Sequence, residues 1–467
     1  MKPTLAAFAQ SCGGRLVGRD GAFAGVSTDS RSVNPGELFV ALAGPRFNGE
    51  DYVAAALARG AAAAVVHTQQ AGVASQIVVD DTLSALALGA SAWREGFAIP
   101  VVGVAGSNGK TTVKELVSSI LSQAGACLST RGNLNNHIGV PLTLFRINGE
   151  HRFAVVEMGA DRAGEVATLV RIGRPTIGII TNAGAEHLAG FGSLEGVARA
   201  EGEMVAGLSA DAIAIINHDD PFALLWKNMT PARVSTFGLE PGADFTAGTI
   251  HTTIDESGFV TRFTLHAPLG SVPVALHLAG RHNLINALGA AAAASAAGVG
   301  LSEIASGLGS MRPVAGRLQF KRAASGAWII DDSYNANPSS VAAAIEVLAQ
   351  LDGRRWLVFA DMGELGDYAT ESHRQVGVQA KAAGIERLFA TGTLARLSVE
   401  TFGAGASWFA DNSKLAAGLS AELTPTQSGS ATVDVRMLVK GSRFNRLEQV
   451  VAALVGPAAA APGIKGA

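Results

Sequence analysis

Two cysteines, Cys12 and Cys127, are all the thiol this chain holds, and they lie far apart. That excludes a disulfide framework and a cysteine-built metal site, and it fits a reducing compartment. Charge is scarce as well. Charged residues make up 16%, the formal net charge is −3, and no long basic block stands out. Neither nucleic acid nor an anionic membrane is therefore indicated as a partner. No clean apolar run approaches the roughly 18 residues that a membrane-spanning helix needs. The Ala-rich stretch at residues 287–299 is too short and reads as a buried helix. The apolar patch at residues 5–9 is interrupted by Gln10 and Ser11 and is shorter than a signal-peptide core. The expectation is a soluble cytoplasmic protein with a frayed Gly/Pro/Ala-rich tail at residues 456–467.

What is present is apolar surface. Hydrophobic residues make up 48% of 467, ample for packed cores, and the length suggests about three domains. Three blocks follow. Residues 1–98 read as a small α/β unit, with strands at 37–41, 63–66 and 76–79 and helices at 51–59 and 82–94. Residues 99–312 open with a buried strand at 101–105 and alternate strands (153–157, 176–181, 212–216) with helices. Such alternation predicts a doubly wound, mostly parallel sheet. Residues 243–279 change character and predict an antiparallel addition, closed by a helix over 283–297. Residues 313–467 predict a second open, Rossmann-like α/β sheet with strands at 328–331, 355–360, 387–390 and 437–440.

The strongest local signal is Val-Val-Gly-Val-Ala-Gly-Ser-Asn-Gly-Lys-Thr-Thr at residues 101–112. After a buried strand, glycines let the backbone wrap phosphate, and the N-terminus of the next helix faces the charge. Gly106, Ser107, Asn108, Gly109, Lys110, Thr111 and Thr112 form this grip, with Lys110 placed to reach the terminal phosphates and Thr111 to hold Mg²⁺. The spacing is irregular: glycines fall at 103, 106 and 109, and position 104 is Val.

This variant loop resembles that of the Mur ligases and folylpolyglutamate synthases, and the resemblance extends over nearly the whole chain. Val-Ser-Thr-Asp-Ser-Arg at 26–31 and Pro-Gly-Glu-Leu-Phe-Val-Ala-Leu at 35–42 look like the uridine-nucleotide domain of a Mur ligase. Gly-Asn-Leu-Asn-Asn-His-Ile-Gly-Val-Pro at 132–141 looks like the segment after the phosphate loop. Asp-Asp-Ser-Tyr-Asn-Ala-Asn-Pro at 331–338 and Asp-Met-Gly-Glu-Leu-Gly at 361–366 look like the C-terminal domain. The last two strings are similar to the branch that joins D-alanyl-D-alanine (D-Ala-D-Ala) to UDP-N-acetylmuramoyl-tripeptide (UDP-MurNAc-tripeptide). The resemblance therefore implies an ATP-dependent amide ligase of peptidoglycan precursor synthesis, working through an acyl phosphate. Such chemistry needs charge neutralisation and positioning rather than a nucleophile triad.

Several residues take expected roles from that resemblance. Glu157 ends an apolar strand at the carboxyl edge of the sheet, where a hard oxygen suits Mg²⁺; a helix cap is the plain alternative. His187, just past another strand end, corresponds to a second metal site, with Glu186 beside it. Glu201 stands where the family usually carries a carbamoylated lysine, so a catalytic glutamate would supply that negative group directly, with Glu203 as substitute. Asn283 and Asn286 are expected near adenine, Arg317 at the ATP phosphates, and Asp332 and Tyr334 at the ribose. Ser27, Asp29, Ser30, Arg31 and Asn48 are expected on the uridine nucleotide, and Asn135 and Asn136 on the peptide. Asn335, Asn337 and the anion-binding loop of Lys440 are expected on substrate. The nucleotide would then lie between the second and third blocks of a monomer that closes around it.

Three alternatives fit the sequence less well. A folylpolyglutamate synthase lacks the first block. A sibling Mur ligase that adds a diamino acid carries Asp-Asn-Pro-Arg where Ser-Tyr-Asn-Ala-Asn-Pro stands at 333–338. A P-loop regulatory NTPase would have a regular loop and no need of two further α/β units.

Overall fold

The computed structural model describes residues 3–44, 47–186, 188–255, 258–424 and 434–456. The residues 457–467 expected to fray lie outside that set, as does His187. The first block forms a five-stranded sheet in the order Arg15–Gly18, Ser75–Val78, Ala63–Val66, Leu38–Val40, Val26–Ser27. Only the first of these strands runs antiparallel to its neighbour.

The central sheet has six parallel strands in the order Arg233–Phe237, Ile213–Asn217, Ile177–Ile180, Val101–Ala105, Phe153–Glu157, Cys127–Ser129. Val101–Ala105 and Phe153–Glu157 are buried at every position, as strands covered by helices on both faces must be. The chain leaves Val101–Ala105 toward one edge and later crosses back to the other. That reversal puts a crevice at the carboxyl ends of the central strands, where the phosphate loop begins.

Lys110–Ala124 is helical because Val113, Leu116, Val117, Ile120 and Leu121 form one apolar stripe. That stripe packs on one face of the sheet. Arg281–Ala296 packs beside it and is buried nearly all round; alanines give it high helix propensity and let neighbouring backbones approach. The antiparallel addition is present, but as a sheet of its own: Thr246–Asp255, Gly258–Ala267 and Gly270–Leu276. Its Phe263, Leu265, Val274 and Leu276 join the same apolar core as the sheet's Val102 and Val104.

The third block holds a six-stranded sheet in the order Gln319–Arg322, Trp328–Asp332, Val435–Lys440, Arg354–Ala360, Arg387–Thr391, Ala406–Phe409. Only Gln319–Arg322 is antiparallel within it. The strands missing from the sequence reading are short and at or near sheet edges, such as Cys127–Ser129 and Ala406–Phe409. The patch at residues 5–9 is helix Leu5–Ser11, capped by the Thr4 side chain.

The contact between helix Leu301–Ser310 and the phosphate-loop helix is made at Gly307, where an added Cβ would lie 2.3 Å from the Ile120 Cα. Gly307→Ala is therefore expected to destabilise the central unit by about 1–3 kcal/mol through overpacking. Urea unfolding read by near-ultraviolet circular dichroism should show the lower midpoint; an unchanged midpoint would contradict this packing.

Candidate active site

The loop after Val101–Ala105 is shaped by two glycines. Gly106 has φ +121°, and an added Cβ would lie 2.1 Å from Thr181 Oγ1. Gly109 has φ +84° and would press a Cβ onto the Asn286 amide. Both are conformations that a side chain rarely takes. The loop is then pinned from the neighbouring strand end. Asn182 accepts from the Asn108 N–H and donates to the Asn108 carbonyl, which also accepts from Thr181 Oγ1 at 2.6 Å. Ser107 Oγ accepts from the Gly184 N–H. Gly109 caps the next helix without a side-chain bond, so the first N–H groups of the helix are left for an anion.

Lys110 Nζ donates to the Gly106 and Ser107 carbonyls at 2.5 and 3.0 Å and to Glu186 at 3.2 Å. Burial by itself pushes its pKa down, but Glu186, Glu201 and Glu157 outweigh that and hold it above the usual lysine value. The side chain stays an ammonium.

Glu157 is buried. Its Oε1 accepts from Thr111 Oγ1 at 3.2 Å and from Asn135 Nδ2 at 3.0 Å, while its Oε2 is buried without a hydrogen-bond partner. An orphaned carboxylate oxygen beside a threonine hydroxyl is a donor set that fits Mg²⁺. Arg317 reaches in from the third block: its Nη2 donates to Thr111 Oγ1 at 3.1 Å, its Nε is buried without a partner, and its guanidinium lies 4.4 Å above the Tyr334 ring. Unspent N–H capacity on a fixed cation is what a phosphate requires.

These groups line one cavity of about 560 Å³ between the second and third blocks. Ser107, Asn108, Gly109, Lys110, Thr111, Thr112, Asn135, Glu157, Asn283, Asn286, Arg317, Asp332, Tyr334, Asn335, Asn337 and Lys440 all face it. The third block also grips the loop directly. Asn337 Nδ2 donates to Asn108 Oδ1 at 2.8 Å and approaches Glu186, and Asn108 Nδ2 donates to Ser339 Oγ.

Other expectations need correction. Lys440 is not on an anion-binding surface loop: it is 3% exposed, with Nζ 2.6 Å from Asp332 and 2.9 Å from the Asn335 carbonyl. It neutralises and aims Asp332, whose other oxygen accepts from the Leu318 N–H. Asn136 does not line the cavity; its Oδ1 accepts from the N–H groups of Ile138 and Gly139 and turns the chain into a helix. Glu203 caps helix Glu165–Gly173 through the N–H groups of Gly164 and Ala167, so it is no substitute ligand. Glu201 is neither an exposed helix residue nor on the cavity wall; it is buried behind the loop and accepts from the Gly106 N–H at 2.7 Å. Ser27, Asp29, Ser30, Arg31 and Asn48, expected on the uridine nucleotide rather than on ATP, lie in the first block and are not part of this cavity's lining. There Asp29 takes a bidentate bond from the exposed Arg31, which holds its carboxyl down at about 2.

Family models match three stretches: "Mur ligase family, catalytic domain" at residues 22–91, "Mur ligase middle domain" at 104–294 and "Mur ligase, glutamate ligase domain" at 316–443. The chain is 42% identical to UDP-N-acetylmuramoyl-tripeptide–D-alanyl-D-alanine ligase of Escherichia coli (strain K12), over 97% of this chain and 98% of that one. The chain belongs to the Mur ligase family. Among solved structures, MurF from Acinetobacter baumannii superposes with a TM-score of 0.90 at 34% identity, covering 97% of this chain and 99% of that one. The ADP complex of MurF ligase from Thermotoga maritima gives 0.79 at 28%, covering 91% and 96%.

Within this Mur ligase, the sequence reading left Glu186 unassigned and missed Asn182 and His282. Asn182 and Glu186 stand just past strand Ile177–Ile180, a position that already marks candidates. His282 lines the cavity beside Asp332 and Lys440, and burial pushes its pKa down to about 4; the cavity therefore meets it as a neutral imidazole.

Burial raises the Glu201 carboxyl to about 7, against Lys110 and the Gly106 N–H and with repulsion from Glu186 and Glu203. In the unfolded chain it ionises near its ordinary 4.5. The folded state keeps the proton longer, so this stabilisation is complete below about 4.5 and is lost as pH rises through about 7. Relative to Glu201→Gln, the nucleotide-free chain is expected to gain stability in urea as pH falls from about 8 to about 5. A pH-independent difference would contradict that assignment.

Proposed function

We infer that this chain is the ATP-dependent ligase that adds D-Ala-D-Ala to UDP-MurNAc-tripeptide, a step of peptidoglycan precursor synthesis. The observation that carries the reading is likeness over nearly the full length to a ligase named for that reaction, joined to a phosphate-loop cavity.

A carboxylate is a poor electrophile. In this reading the tripeptide carboxylate attacks the γ-phosphorus of ATP, ADP leaves, and an acyl phosphate results. The amine of D-Ala-D-Ala then attacks the acyl carbon, phosphate departs, and the amine loses a proton. The first N–H groups of helix Lys110–Ala124, with Lys110 and Arg317, hold the phosphates. Thr111 and Glu157 would hold Mg²⁺, with His187 expected at a second metal position; the ion would supply charge neutralisation at the phosphate oxygens. Asp332, steadied by Lys440, receives the ribose; Asn283 and His282 stand at the base end, and Asn286 supports Gly109. Residues 1–98 take the uridine nucleotide, 99–312 carry the loop, and 313–467 close over ATP and present D-Ala-D-Ala. The chain works as a cytoplasmic monomer.

The test is ADP release. It should require ATP, Mg²⁺, UDP-MurNAc-tripeptide and D-Ala-D-Ala together; release that ignores D-Ala-D-Ala would sink the reading. Lys110→Ala should lower kcat/KM by at least about 100-fold, the scale of losing one preorganised charge contact. Glu157→Gln should raise the Mg²⁺ concentration needed for half-activity by about tenfold or more, and an unchanged requirement would remove Glu157 from the metal.

A further inference from the structure

Helix Leu194–Ala206 presents Val197, Ala198, Ala200, Glu201, Gly202, Met204 and Val205 as its buried face. One carboxylate sits on that apolar face, and an unpaired charge there would be strongly destabilising. Glu201, 1% exposed, meets this constraint by accepting the Gly106 N–H at 2.7 Å. The carbonyl of the same Gly106 accepts from Lys110 Nζ at 2.5 Å. One glycine thus ties the Glu201 carboxylate to the Lys110 ammonium, with no room for another side chain against Thr181.

We propose that Glu201 is a positioning residue for ATP, acting through Gly106 to fix the phosphate loop, and that it touches neither nucleotide nor metal. Three consecutive loop N–H groups are spent on the protein: Gly106 on Glu201, Ser107 on the Asn182 carbonyl and Asn108 on Asn182 Oδ1. The grip on phosphate is thereby assigned to the N-terminus of the following helix and to Lys110. Glu201 is not among the residues that line the cavity, and Gly106 links it to Lys110, which does line it. A loop held by the protein in this way loses less freedom when nucleotide binds, which lowers the ordering cost.

This role rests on the ligase reading only for its activity assay; the loop's affinity for ADP tests it independently. ADP binding by titration calorimetry and KM for ATP are measured on the full chain, with Glu201→Ala and Glu201→Gln. Glu201→Ala should weaken ADP and raise KM for ATP by about tenfold or more, the scale of leaving one buried N–H without its acceptor, with KM for D-Ala-D-Ala unchanged. Glu201→Gln keeps an acceptor oxygen and should stay within about threefold of the native chain. A general folding defect would lower kcat without moving KM. Unchanged ADP affinity in Glu201→Ala would overturn the proposal. So would a Glu201→Gln variant as impaired as Glu201→Ala, or a shift confined to the Mg²⁺ requirement, since charge or metal contact would then be the decisive property. Failure of the D-Ala-D-Ala dependence alone would count against the ligase reading and leave the ADP comparison standing.

Discussion

Lys110 is one ammonium placed among three carboxylates, and the site is organised around that imbalance. Burial disfavours its charge, while Glu186, Glu201 and Glu157 retain it. Without Lys110 the buried carboxylates would face one another across the loop, at a cost that only protonation or a bound cation offsets. With it, Glu186 is held at the cavity wall, Gly106 is held in place, and the Glu157 oxygen left without a partner stays open to a divalent cation.

The third block completes this arrangement. Arg317 reaches Thr111, and Asn337 reaches Asn108 and Glu186. Polar contacts join the third block to the loop, while Phe259 and Ala279 of the second block pack into the third block's apolar core; the polar contacts can be exchanged for a ligand's oxygens at small net cost. In the proposed reading, a nucleotide placed in this cavity would meet both the second and the third block.

Much of the central fold was legible because buried parallel strands read as continuous apolar runs and their helices as stripes. Residues 101–105 and 153–157 are read to the residue. Short edge strands such as Ala406–Phe409 offer too few residues to show a period, and one side of an edge meets solvent, so they are only partly buried. Of the candidate site, Lys110, Thr111, Glu157, Arg317 and Asp332 were legible as members of one cavity. Lys440 lines the cavity yet bonds Asp332, and Asn136 and Glu203 bond backbone N–H groups; in sequence an amide, an ammonium or a carboxylate beside a plausible motif looks the same whether it meets ligand or protein.

By itself the sequence determined the loop's chemistry. Glycines at 106 and 109 before Lys110 leave the backbone few ways to run, and a strand before with a helix after places those N–H groups together. Tertiary structure alone decided which side of that loop each distant carboxylate occupies. Glu201 and Gly106 are 95 positions apart, and Asn337 and Asn108 are 229. Periodicity assigns a residue to a face of its own helix or strand, but which backbone that face meets is set by how the layers pack. Glu186 was therefore put before Lys110, and Glu201 behind Gly106, by packing that no local pattern encodes.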